Sequence, residues 1–498
     1  MVVVALSRVL WKSFAVSLEI AMASKLSIFV LLSALALLLP IASARERIFP
    51  RDDDETTGES SDGAFETHWI TLPLDHFGDN DRTFRNRFFV NDTYYKPGGP
   101  VFLKPAGEGP VDEDHIHSNL SPRSSRRSAL MSLARVFHGV AIVLEHRYYG
   151  RSQPSEYDDE TGVLLDRGDY EFLTLEQSLE DMVFFSTHLP AMTPDLDPHL
   201  ELLKPSNTPW IMLGGSYTGV QSAAMRLRNP DIIYASWVSS APVESQPDFS
   251  TQGRALQRAM PANCSADIHE AIKFIDDSLA GENDTARDLV GASLWLAHNA
   301  KDQGTFGQAN VTAALNRIED MSLYRLTRYI GGWSYSFQST GLREIWPFCD
   351  AIEKFNPETA GGIGEYSTSF NNSRDAEPTG EGLAATWGAE TAANAFISAL
   401  WQRRISLMES PPPELVGNPP DFNPNPSWAW QRLSEFGNWW VGNDSDARSL
   451  RSAHTTVEGS TEYDANLLKV PIPGGAPDTD QYNKYGGWHM KPSNVMFR

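Results

Sequence analysis

Short stretches that are apolar almost throughout alternate with helically spaced ones between residues 100 and 240, and no other feature of the chain restricts its fold so tightly. Val101-Phe102-Leu103 follows a Gly98-Gly99-Pro100 turn, and Val140 to Leu144, Ile211-Met212-Leu213 and Ala235 to Val238 repeat the pattern. A strand wetted on one face alternates polar and apolar residues, so runs without alternation fit strands covered on both faces, as in a parallel sheet. Between the second and third runs, Leu173 to Leu189 has helical spacing, with Leu175, Leu179, Met182 and Val183 on one side and Glu176 and Glu180 on another. Thr174 and Gln177 stand in a capping-box relation at its start. Tyr217 to Leu227 supplies a second helix, between the third and fourth runs. Strand and helix in alternation predict a doubly wound, mostly parallel α/β sheet with right-handed crossovers.

From about Glu244 the pattern changes to helices without intervening strands. Ile268, Ile272, Ile275 and Leu279 form one apolar stripe, and Ala392 to Met408, with Phe396, Leu400 and Ile405, forms another. A Pro-rich loop from Pro411 to Pro426 and the aromatic segment Trp428 to Trp440 close this region, after which Ser493 to Phe497 reads as a fifth sheet strand. The expected organisation is a first part of the core over 66–243, a helical insertion over 244–440 and a return to the core over 441–498. At 498 residues the chain is long enough for such a core with an inserted subdomain.

The formal charge of −23 lacks the basic footprint that nucleic acid or an anionic membrane requires, and suits work in an acidic medium. No metal-ligand spacing and no Gly-rich phosphate loop is present, so no metal and no cofactor is expected. Lys25, the apolar run Leu26 to Leu39, Pro40 and the small residues Ala42-Ser43-Ala44 make 1–44 a secretory signal peptide, with Met22 as an alternative start. The run is short for a membrane span of about 20 residues, so no stable span is expected once it is removed. Residues 45–65, acidic and Ser-rich, read as a flexible tail or propeptide. Secretion agrees with glycosylation sequons at Asn91, Asn119, Asn263, Asn283, Asn310, Asn371 and Asn443. Cys264 and Cys349 suggest one disulfide in an oxidising compartment, two free thiols being the alternative.

Leu213-Gly214-Gly215-Ser216-Tyr217-Thr218-Gly219 lies after an apolar strand and before a helix. A turn tight enough to lift a Ser hydroxyl over a sheet needs small residues two before and two after it. Gly214 meets the first demand and Thr218 departs from the second. Ser216 is therefore the candidate nucleophile. An oxyanion hole needs the amide after the nucleophile, that of Tyr217, and one from the loop after an earlier strand, where Lys104 to Pro110 offers Gly107 or Glu108. His146 between Glu145 and Arg147 reads as part of a structural cluster at a strand end. Arg167-Gly168-Asp169 reads as a turn, and Trp439-Trp440 as packing of the helical insertion.

On the elbow and on several further segments, the chain resembles the prolylcarboxypeptidase and dipeptidyl peptidase II family of serine peptidases, which includes thymus-specific serine protease. The segments are Leu74 to Phe77, Gly98 to Pro110, Leu144 to Ser152, Leu173 to Gln177, Gly214 to Gly219, Ser239 to Pro242, Ser434 to Gly437 and Asn483 to Trp488, with Glu145 to Gly150 the most specific. The resemblance implies an α/β-hydrolase core with a helical cap. It also implies a serine-type exopeptidase, carboxypeptidase or dipeptidyl-peptidase, that cleaves proline-containing peptides on the carboxyl side of proline through an acyl-enzyme, in a secretion, a vacuole or a lysosome. Ala106 stands where the family commonly has Gly, and Leu433 where it often has Cys.

Hydrolases of this fold order their triad as Ser, Asp or Glu, then His. The next sheet strand after Ala235 is expected at Asn494 to Phe497, which puts the remaining triad positions past Arg498, so the core is expected to lack its C-terminal part and the chain to be incomplete or inactive. Of the histidines after Ser216, His269 and His298 fall on cap helices, while His454 and His489, in polar and Gly-Trp surroundings, are not expected to serve as the base. A secreted, non-catalytic binding protein of the same fold is the second reading, and a lipase or esterase the third. Sequence alone leaves the oligomeric state open.

Overall fold

The computed structural model describes residues 65–122, 128–158, 161–192, 203–299, 308–331, 333, 342–357, 382–409, 425–442, 449–469 and 476–497. The signal peptide, nearly all of the acidic tail, most of the Pro-rich loop, Asn371 and Asn443 lie outside these residues. The chain divides into two units, the first Met1–Glu244, Pro419–Trp428 and Asp480–Arg498, the second Ser245–Asn418 and Ala429–Thr479.

The first unit is built on a sheet of seven strands: β1 (His68–Pro73), β2 (Thr83–Asn91), β3 (Val101–Pro105), β4 (Val140–Leu144), β5 (Trp210–Gly215), β6 (Ile233–Ser239) and, far along the chain, β9 (Val495–Phe497). Their order is β1-β2-β4-β3-β5-β6-β9. From β4 to β9 every pairing is parallel, and β1 and β2 add an antiparallel edge through β2–β4. This arrangement, with helices between strands, is an α/β-hydrolase fold. All five side chains of β4 are buried, as are Val101, Phe102 and Leu103 of β3 and Trp210 to Leu213 of β5. Each fully buried Val, Leu, Ile or Phe contributes about 1.5–3 kcal/mol relative to exposure, which fixes these strands at the centre.

Helices α1 (Glu113–Leu120) and α2 (Ala129–Phe137) lie between β3 and β4, with their apolar faces on a cluster that includes Phe102, Leu130, Met131, Val143 and Leu213. Helix α3 (Leu175–Met192) precedes β5, and α4 (Tyr217–Arg228) links β5 to β6. Thr174 caps α3 as its sequence predicts, its hydroxyl accepting from the Gln177 amide at 3.2 Å. The Gln177 side chain takes a different course from the expected capping box. It donates to Asp75 Oδ1 at 2.7 Å and accepts from the His76 amide at 3.0 Å, pinning the β1–β2 turn to the helix.

The second unit is helical: α5 (Thr251–Ala259), α6 (Ala262–Ala280), α7 (Asp284–Asn299), α8 (Gln308–Ile318), α9 (Leu323–Gly331), α10 (Leu342–Glu353), α11 (Leu383–Trp387) and α12 (Ala389–Glu409). After α13 (Asn425–Gln431), which begins in the first unit, come β8 (Gly437–Trp439), paired in parallel with β7 (Gln246–Asp248), and α14 (Val457–Leu468). Ile268, Ile272, Ile275 and Leu279 are all buried in one cluster with Phe396. A disulfide joins Cys264 in α6 to Cys349 in α10. Trp439 donates its indole N–H to buried Asp464 at 2.8 Å, and Arg451 lies over the Trp440 ring.

An acid pair sits in this unit. Asp267 accepts from the Leu383 and Ala384 amides at 2.8 and 2.7 Å, so its charge caps α11. Glu353 faces it, and neither of its buried carboxyl oxygens has a donor among the described residues. Two carboxylates cannot share a hydrogen bond unless one holds a proton. Burial first, then Asp267 and Asp350, push Glu353 up to about 8. A free glutamate titrates near about 4.3, so between these values the folded chain binds the extra proton. Stability should therefore fall as pH rises through this window. Melting temperatures taken from about pH 5 to about pH 9 are expected to decline in the parent protein and to run flatter in Glu353→Gln. Parallel profiles for the two proteins would contradict the assignment.

Candidate active site

The turn between β5 and α4 carries the unusual backbone of the first unit. Ser216 has φ 55° and ψ −129°, a region that costs a residue with a side chain about 1–3 kcal/mol. Its amide donates to the Ser239 carbonyl at 3.0 Å, and its carbonyl accepts from Gly219 at 3.0 Å and Val220 at 3.4 Å. These bonds hold the strain in place. Ser216 itself is exposed, at the C-terminal edge of the parallel strands and the N-terminus of α4, where the helix dipole favours negative charge.

Close approach explains the residues around it. A Cβ on Gly214 would stand 2.1 Å from the Thr218 carbonyl oxygen, and one on Gly219 would stand 2.7 Å from the Ala241 Cβ. Thr218, the departure from a small residue, is buried with its hydroxyl turned back onto the elbow, accepting from the Gly215 amide at 2.9 Å and donating to the Gly215 carbonyl at 2.8 Å. Its methyl takes room from the preceding loop instead: a Cβ on Gly107 would meet it at 2.7 Å. Gly107 also has φ +85°, so two independent reasons call for glycine there. The Gly107 loop thus lies against the elbow, with Ala106 donating to the Leu144 carbonyl at 2.9 Å.

Glu145 to Ser152 forms the floor beside this turn. Glu145 is 1% exposed and receives five donors: Arg87 Nη2 at 2.6 Å and Val111 N at 2.8 Å on Oε1, and Arg87 Nε at 3.2 Å, Arg151 N at 3.1 Å and Ser152 Oγ at 2.7 Å on Oε2. Gly150 has φ +54°, and any Cβ would fall 2.0 Å from Glu145 Oε1. Arg147 makes a two-pronged pair with buried Asp181, both contacts 2.6 Å, and donates to the Leu74, Phe172 and Pro73 carbonyls. His76 completes the group at 2.8 Å from Asp181 Oδ1. Burial alone would raise the Asp181 pKa, but Arg147 and His76 hold it below the usual range. Nothing in the local sequence signals Arg87, His76 or Asp181, because each partner lies 34 to 105 positions away.

Other predicted residues fall as follows. Asp169 is paired with Arg82 by two bonds of 2.7 Å, which accounts for the Arg167-Gly168-Asp169 turn. Asn91 is 8% exposed and donates to the Leu120 carbonyl at 2.8 Å; Asn119 donates to the His115 carbonyl and Ser118 Oγ and accepts from Lys104. A sugar on Asn91 would displace a buried bond, and one on Asn119 would displace part-buried and exposed ones. Asn283 and Asn310 are exposed, and Asn263 is half-buried. His269, His298 and His454 belong to the second unit, and His489 is exposed in a single 3-10 turn. Among the described residues no side chain hydrogen-bonds the Ser216 hydroxyl, and no group of three or more His, Cys, Asp or Glu is placed to hold a metal ion.

The late segments belong to the first unit. Lys484 reaches Glu176 in α3 at 2.7 Å and Tyr485 donates to the same carboxylate, while the Trp488 amide donates to Glu244 at 3.1 Å. Arg226 in α4 donates to the Ser493 carbonyl and hydroxyl, both at 2.8 Å, ahead of β9.

A family model described as serine carboxypeptidase S28 matches residues 72–377, more than half of the chain. The chain belongs to the serine carboxypeptidase S28 family. Among S28 and other serine-protease relatives, it is 34% identical over 249 residues to human thymus-specific serine protease, covering 50% of this chain and 44% of that one. It is 28% identical over 473 residues to a "Probable extracellular serine carboxypeptidase" of Arthroderma benhamiae, covering 87% of this chain and 58% of that one. Serine protease vicPa of Bipolaris victoriae is 27% identical over 342 residues, covering 66% and 56%. The chain thus spans roughly half the length of these relatives. No helix among its described residues is long and apolar enough to cross a membrane.

Two substitutions and one control test this geometry. Asp181→Ala, which leaves Arg147 buried without its counter-ion, is expected to cost about 3–5 kcal/mol in urea unfolding. Gly214→Ala should prevent recovery of folded protein, since its clash is with backbone, whereas Gly109→Ala, with nothing within 4 Å of its added carbon, should purify and melt like the parent. Normal melting of Gly214→Ala would show that the elbow has room to open.

Proposed function

We propose that the chain is a serine-type exopeptidase that cleaves peptides on the carboxyl side of proline through an acyl-enzyme, as a carboxypeptidase or a dipeptidyl-peptidase. The observation that carries this reading is the exposed Ser216 hydroxyl, held in a strained conformation where β5 meets α4. In the proposed reaction Ser216 Oγ attacks the carbonyl carbon after proline, its proton passes to a base, and the C–N bond breaks as the leaving amine takes that proton up. Water then releases the acyl group. The tetrahedral oxyanion would be held by the Tyr217 and Gly107 amides, the two loops that the Thr218 methyl brings against each other. Family membership and the names of the relatives support the serine-protease class, and the proline preference rests on the segment-wise resemblance. Passage through the secretory pathway, to the exterior or to a vacuole or lysosome, agrees with the signal-like N-terminus and with a relative named as extracellular. In that case glycans are proposed at Asn263, Asn283 and Asn310, with Asn371 and Asn443 as further sequons.

A serine without a base is a poor nucleophile, and no described histidine reaches Ser216. A second reading, carried from the sequence, is a secreted protein of this fold that binds peptides without cleaving them. Treatment with a fluorophosphonate followed by peptide mapping separates the two. The peptidase reading expects an adduct on Ser216 that Ser216→Ala abolishes, together with release of product from peptides with an internal proline near a terminus. Binding of such peptides without adduct or product would establish the second reading, and ester hydrolysis that spares proline peptides would replace both with an esterase.

A further inference from the structure

The family-specific segment Glu145 to Gly150 touches the elbow through one hydrogen bond. His146, at the C-terminal end of β4, is buried, and its Nδ1 lies 2.7 Å from the Arg147 carbonyl oxygen. A carbonyl can only accept, so Nδ1 carries the hydrogen. Burial above all lowers the ring's pKa, to about 4, so at higher pH the imidazole is neutral and Nε2 bears a lone pair. The Tyr217 hydroxyl lies 3.3 Å from that atom and must be the donor. The phenol ring is also confined on its faces: the His146 ring is 5.6 Å away and tilted by 56°, and the Trp428 ring meets it edge-on at 5.9 Å. Tyr149 packs edge-on against His146 at 5.3 Å. The residue whose amide follows Ser216 is therefore gripped at the far end of its side chain.

We propose that His146 is a positioning residue for the oxyanion site: by accepting the Tyr217 hydroxyl hydrogen at Nε2, it fixes the orientation of the Tyr217 amide relative to Ser216. This rests on the reading of Ser216 as nucleophile. Donors must already point at the place where negative charge develops, and small displacements weaken them steeply. Tyr217 opens α4 next to a strained residue, where the backbone holds its conformation only because its surroundings demand it. The charged groups acting on His146 are Asp181, which favours a second proton, and Arg147, which opposes it. Below about pH 4 the ring gains that proton and Nε2 becomes a donor, so it can no longer accept the Tyr217 hydroxyl hydrogen and the direction of the bond must reverse.

Two measurements test the proposal. In 15N NMR of histidine-labelled protein, His146 is expected as the Nδ1–H tautomer, neutral down to about pH 4, with an Nε2 resonance that moves in Tyr217→Phe. A hydrogen on Nε2, or a resonance indifferent to Tyr217→Phe, overturns the proposal whether or not Ser216 reacts. In fluorophosphonate labelling of the folded fraction, Tyr217→Phe and His146→Phe should each slow the adduct about tenfold, and the double variant should be no slower than either. His146→Gln, whose amide can donate to the Arg147 carbonyl and accept from Tyr217, should recover most of the rate. Multiplicative losses, or a parent rate in Tyr217→Phe, would reduce His146 to a packing role. Absence of any Ser216 adduct in the parent protein would instead count against the nucleophile, leaving the tautomer to decide the His146–Tyr217 bond.

Discussion

One carboxylate organises the C-terminal end of the sheet in the first unit. Glu145 has no solvent to satisfy it, so strand β2 must bring Arg87, the chain after the Gly107 loop must bring the Val111 amide, and the turn at residues 150–152 must fold back with Arg151 and Ser152. A buried charge lacking any of these partners would cost several kcal/mol, so the segments are fixed together or not at all. Two positions away, Arg147 imposes the same discipline on Asp181 and on the carbonyls of the β1–β2 turn. The ground on which the elbow stands is thus electrostatic as much as apolar.

The elbow adds a constraint of a different kind, the absence of side-chain volume. Gly214, Gly219 and Gly107 each leave room that another group fills, and Thr218 shows how such a rule bends: its hydroxyl is absorbed by Gly215 and its methyl by the neighbouring loop. A larger residue at one position has been matched by a missing one at another, across 111 positions of chain. The same exchange accounts for Gly150, whose missing Cβ lets Glu145 sit where it does.

Where burial is total, the sequence is easy to read. Strands β3 to β5 are legible because buried parallel strands demand apolar runs, and helices α3 and α4 because helical spacing needs only local residues; β6 and β9 are also read from apolar runs, although β6 is buried only in part and β9 is half-buried to exposed. Strands β1 and β2 are not legible, since β2 carries buried Asn86 and Arg87, which donate to Glu145, just past the end of β4, so their polarity mimics a loop. Helix α1, with the sequence Glu-Asp-His-Ile-His-Ser-Asn-Leu, has too few apolar positions to declare itself. Gln177 shows the limit most clearly: its spacing from Thr174 is that of a capping box, yet a nearby turn offers its amide a better pair of partners. For the candidate site, the strand-turn-helix shape around Ser216 can be read from seven consecutive residues. The side chains that support it, Asp181 and His76 among them, meet only after the chain has folded.

The cross-link in the second unit has a bearing on how that unit would fail. Cys264 and Cys349 are 85 positions apart, and between them run α7, α8 and α9. In a chain-entropy picture, a loop of this size restricts the unfolded ensemble by about 4–5 kcal/mol. A single cut by a foreign protease anywhere inside it would leave both fragments leashed to each other, able to re-form the helical cluster around Phe396 rather than drift apart. Damage of that sort would stay invisible until a reductant released the pieces.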